Sequence, residues 1–104
     1  MSGNDGFVAV LVIDLHFPEA GSLKHKRKEL SSIKAILHRR LGAAVAEIDH
    51  QDLWQRAALT AALTGASPAA VTQAADRLER WLSGRFPDGV RIERIVASVE
   101  ELRG

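Results

Sequence analysis

The chain has 104 residues, of which 46% are hydrophobic and 26% charged. That is the balance of a globular domain able to bury its own core, and it excludes a disordered or fibrous chain. No cysteine is present, which excludes disulfide scaffolds, thiolate zinc centres and thiol nucleophiles and suits a reducing compartment. The net charge of +1 hides an asymmetry: residues 24–40 hold Lys24, Lys26, Arg27, Lys28, Lys34, Arg39 and Arg40 against Glu29 alone, a local +6 against −5 for the remainder. A basic segment on a nearly neutral chain has two readings, a contact for an anionic partner or one solvated helix face.

Residues 1–5 read as a frayed terminus. Phe7 to Phe17 follows as a strand, continuously apolar to Ile13 and alternating from Asp14, so its early part is expected to be buried on both faces. This run is too short to span a bilayer, and neither a cationic leader nor a small-residue cleavage site flanks it. The expectation is a cytoplasmic protein with no membrane role. Pro18 to Gly21 breaks the strand, and Ser22 is placed to cap a helix, although His25 stands where a capping box would have Glu. Leu23, Leu30, Ile33, Leu37 and Leu41 recur at helical spacing, and Gly42 is a natural terminator.

Ala43 to Ile48 reads as a short strand, Asp49 to Asp52 as a polar turn, and Leu53 to Thr64 as a longer strand with Leu53, Leu59 and Leu63 on one side. Ser67-Pro68 then opens a second helix, with Val71, Ala74, Ala75, Leu78 and Leu82 on its apolar face and an end near Gly84. Pro87 to Gly89 turns the chain into a last strand, Val90 to Val99. Strand, helix, two strands, helix, strand is the split β-α-β-β-α-β order, which predicts one α+β, ferredoxin-like domain over residues 1–104. Right-handed crossovers give an antiparallel sheet in the order 4-1-3-2 with both helices on one face.

That topology gathers distant polar residues at the end where the first strand finishes: Asp14 and His16, Ser22 to Lys28, Glu47 to Asp52, Arg85 and Arg91. At 100° per residue, Lys26 falls within the stripe of Leu30, Ile33 and Leu37, so it points at the sheet. It is expected to pair with Glu47, Asp49 or Asp52 in a structural polar network. Lys24, Arg27 and Lys28 crowd a helix start, where the macrodipole disfavours cations and free N–H groups favour phosphate. They are the candidate nucleic-acid-binding residues. Val8, Val10 and Val12 should line the sheet face away from the helices, joined by Trp54, and such a patch asks for cover by a protein partner or a second copy.

His16, His50, Asp14, Asp49 and Asp52 are metal-ligand types, but none has the close spacing of a helical motif, and no metal is expected. No phosphate-cradling glycine loop occurs, and the serines fit caps or exposed positions, so neither a catalytic residue nor a cofactor is expected. The chain also lacks the aromatic-rich signature of RNA-recognition modules with this topology.

Two stretches, Ser-Leu-Lys-His-Lys-Arg at 22–27 and Val-Ala-Glu-Ile-Asp-His-Gln-Asp-Leu-Trp-Gln-Arg-Ala at 45–57, resemble the bacterial YlxP-like family, domain of unknown function 503. The resemblance runs from the first strand to the last and implies the ferredoxin-like fold. Genes of that family often neighbour those for a translation initiation factor and a ribosome-binding factor, which implies work near RNA or the ribosomal particle. The expected function is a non-catalytic RNA- or ribosome-associated accessory protein. The alternative is a homo-oligomeric (dimeric) interaction module with no nucleic-acid role.

Overall fold

Alternation of apolar side chains in Phe7–His16 makes β1, the strand around which the rest is arranged. In the computed structural model, which describes residues 4–104, Ala9, Leu11, Ile13 and Leu15 are buried on one face of β1. Val8, Val10 and Val12 on the other face are only half-buried. The continuous apolar run therefore does not mean burial on both faces, because no layer covers the valine side. Ser22 caps α1 (Leu23–Arg39), its hydroxyl accepting from the His25 N–H at 3.1 Å. Gly42, at φ +73°, takes the left-handed turn after the helix that a side chain would resist.

The chain returns as β2 (Ala44–Asp49) and β3 (Arg56–Gly65), passes through α2 (Pro68–Arg85), and finishes with β4 (Val90–Ser98) and a single turn, α3 (Val99–Leu102). Ser67 caps α2 and Pro68 occupies its first turn, as the sequence predicts. The sheet order is β2-β3-β1-β4, the predicted order read from the other edge, and all three pairings are antiparallel. The fold is α+β and ferredoxin-like. Leu30, Ile33 and Leu37 from α1 and Val71, Ala75, Leu78 and Leu82 from α2 share one core with the inward residues of β1 and β3. Both helices therefore cover the same face of the sheet.

Three expectations need correction. β3 begins at Arg56 and not at Leu53, so Leu53 is exposed and Trp54 stands in the turn ahead of the strand, outside the sheet face. The backbone reason is a bulge between Glu47 and Asp49, followed by His50 at φ +63°, which moves the polar turn and everything after it along the chain. The last strand stops at Ser98, because Ser98 and Glu101 form a reciprocal capping box that starts α3. Of the frayed terminus expected at 1–5, residues 1–3 lie outside the described residues, while Asp5 is tied to Arg103 at 2.6 Å. No helix among the described residues is long and apolar enough to cross a membrane.

Candidate functional site

Polar side chains do meet at the end where β1 finishes. Glu29 of α1 and Arg85 of α2 form an ion pair at 2.6 Å, and the Arg85 guanidinium lies 5.0 Å from the Phe86 ring. Phe86 packs edge-on against Phe17 at 5.4 Å between centroids. These residues, with His16, line a recess of about 420 Å³ that has an apolar floor and a charged mouth. On the other side of the same corner, Asp14, His16, Arg56, Asp88 and Arg91 surround a shallower, more polar recess. Gly89 joins the two: its carbonyl accepts from the His16 N–H at 2.8 Å, and a Cβ there would sit 2.9 Å from the His16 carbonyl oxygen. Only glycine lets β4 leave so close to the end of β1.

Lys26 lies where its helical phase puts it. Its side chain has no solvent exposure, and its ammonium donates to the His50 carbonyl at 2.9 Å and stands 3.9 Å from Glu47. Lys34, just over two turns further along the helix, reaches Glu47 at 3.6 Å. Burial pushes the Lys26 pKa down, and the Glu47 carboxylate partly restores it. Of the other two expected partners, Asp52 acts on Lys26 only through its charge, and Asp49 turns away to accept from the His50 N–H at 2.7 Å. The lysine therefore fastens the start of α1 to His50, the left-handed residue that follows β2. A left-handed non-glycine residue is held only when its surroundings over-determine it, and this bond is one such constraint.

With Lys26 turned inward, Lys24, Arg27 and Lys28 are left exposed. Their i, i+3 and i+4 spacing puts them side by side on one surface of the first two turns. Among the described residues, none of the three forms an ion pair, whereas Lys26, Lys34, Arg56, Arg85, Arg94 and Arg103 each face a carboxylate. The first turn of α1 holds no acidic residue. The cluster is thus three uncompensated cations beside the positive end of a 17-residue helix.

The sequence reading missed Arg94. It comes from the inward side of β4, opposite Leu11, and its guanidinium bonds Asp76 at 2.8 Å and Glu79 at 2.6 Å on α2. Those two hydrogen bonds hold its pKa above the ordinary value. The signal was present, since Asp76 and Glu79 share one face of α2 and Arg94 has the inward phase of its strand. Among the described residues no group of three His, Cys, Asp or Glu side chains could hold a metal ion. His16 is exposed, and the His50 ring lies 3.9 Å from Asp49.

The comparisons agree with this architecture. The "Uncharacterized protein YlxP" of Bacillus subtilis (strain 168) is 30% identical over 82 residues, covering 79% of this chain and 85% of that protein. Among solved structures, the "De novo designed protein Foldit4" superposes with a TM-score of 0.61 over 90% of this chain and 98% of its own, at 9% identity, a likeness of fold alone. The profile of the family described as "Protein of unknown function (DUF503)" matches residues 8–97, from β1 to the end of β4. The chain is a member of the DUF503 family.

Proposed function

We propose that this chain is a non-catalytic cytoplasmic accessory protein of translation or ribosome assembly that binds RNA or a ribonucleoprotein through the exposed start of α1. The observation that carries the reading is the Lys24, Arg27 and Lys28 cluster, which is uncompensated while the lysine between them is buried and paired. Phosphate oxygens are the ligands that such cations and the free N–H groups of a helix start would hold together. The sheet offers no aromatic platform for bases, so contact to backbone phosphates with modest sequence preference is expected. Co-purification from cells at low and high salt, reading both RNA and protein, tests this. Ribosomal RNA recovered at low salt and lost at high salt supports it; protein partners alone at both salts would refute it.

A second reading, a homo-oligomeric interaction module with no nucleic-acid role, is favoured by the uncovered sheet face. Val8, Val10 and Val12 are half-buried there, and Ile95 is 50% exposed. Dimers that persist at high salt, with no RNA retained at low salt, would favour this reading.

A further inference from the structure

We propose that the uncovered sheet face is the contact of a symmetric dimer of this chain, with the twofold axis parallel to the strands and midway between β1 and β3. This rests on the self-association reading and gives it a symmetry and a register. Residue size differs between the two halves of the face along most of its length. The β1–β4 half presents Val8, Val10, Val12 and Ile95 together with Asp14, Arg91, Glu93 and Ala97, while the β2–β3 half presents alanine and threonine between residues 58 and 64 and at Ala44 and Ala46, with Ile48 and Asp49 at the end of β2.

A twofold along the seam lays β1 on the partner's β3 and β4 on the partner's β2. Following the strand register, Val10 then meets the partner's Ala62, Val12 the partner's Thr60, and Ile95 the partner's Ala44. In the Val10 row both contacts set a bulky side chain against alanine, twice over, as an isologous contact requires, while the Val12 row sets valine on threonine and leaves Glu93 over the partner's Ala46 at the rim. The alternative twofold, across the strands, sets valine on valine and alanine on alanine and leaves the alanine half unfilled.

Charge follows the same operation. Arg91 lies level with Asp14, and Asp49 level with Ala58, so these two residues occupy one row at opposite edges of the sheet. The axis along the seam carries Arg91 over the partner's Asp49 at both ends of that row. Arg91 is exposed and forms no ion pair among the described residues, and Asp49 is 71% exposed. The occupant is a protein and not a nucleic acid, because no aromatic residue lies on this face: Phe7 packs with the core and Trp54 stands in the turn. Four strands about 4.8 Å apart and about nine residues long cover on the order of 600 Å². Two copies would bury about 1,200 Å², the lower edge of a stable specific interface.

The test is sedimentation of the full chain over the micromolar range, with Arg91→Asp and Asp49→Arg variants alone and mixed. The wild type is expected to dimerise at tens of micromolar, and each variant alone to self-associate about tenfold or more weakly, since like charges then meet at both ends. An equimolar mixture of the two variants should recover wild-type affinity, because each heterodimer contact again pairs Asp with Arg. A strictly monomeric wild type at 100 μM, roughly the upper end of useful dimer affinities, overturns both the dimer and the reading beneath it. A wild-type dimer whose variants associate normally, or fail to recover on mixing, overturns this register alone.

Discussion

An ammonium group without solvent must be held by its surroundings, and at Lys26 these are one carbonyl and the Glu47 carboxylate, which is itself shared with Lys34. Truncation to alanine removes the packed stem and both polar bonds, so Lys26→Ala should cost about 3 kcal/mol in urea unfolding. Lys26→Met keeps the volume and removes the buried charge, leaving Glu47 to Lys34; it should stay within about 1 kcal/mol of wild type. The pH dependence has a definite sign. The folded-state pKa lies below the ordinary 10.5, chiefly through burial. Between that value and 10.5 the unfolded chain binds more protons, so the stability contributed by this group rises with pH across the window. The Met variant should lack that rise. Lys26 was legible because helical phase is a strong signal. Its main partner was not: a backbone carbonyl has no letter in the sequence. Arg94 was missed for a related reason, since an inward polar residue on an edge strand looks like a solvated one until the helix above it is placed. Arg94→Ala should cost about 1–3 kcal/mol by leaving Asp76 and Glu79 side by side, with Arg94→Lys recovering little because it lacks the planar fork.

At the scale of elements, α1 is built against its own dipole. Three like charges at i, i+3 and i+4 repel one another and the helix start. A Lys24→Glu, Lys28→Glu variant should therefore be more stable than wild type, by roughly 0.5–1 kcal/mol in thermal or urea unfolding. If the same variant loses RNA, the cluster is retained for binding at a cost in stability; if it gains stability and binds as before, the cluster is a solvated face. Both helices and their caps were legible, because Ser22, Gly42, Ser67 and Pro68 each have a backbone reason to stand where they do. β3 was less so. Leu53 and Trp54 continue an apolar run in sequence, but the bulge at Glu47/Asp49 and the left-handed His50 lengthen the turn and leave both side chains outside.

For the whole molecule, strand order followed from the handedness of two crossovers, and this is why side chains as distant as His16 and Arg85 could be expected at one corner. What the corner binds is a matter of charge and counterions, and the most direct measurement is the salt dependence of binding to structured RNA and to ribosomal subunits. If Lys24, Arg27 and Lys28 each neutralise a phosphate, the slope of log K against log salt should be about −2 to −3, from about −0.7 to −0.9 for each phosphate. The Lys24→Glu, Lys28→Glu variant should bind at least tenfold more weakly at low salt, with a slope nearer −1. A wild type that binds neither target at low salt, or a variant that binds as tightly and with the same slope, would contradict the account.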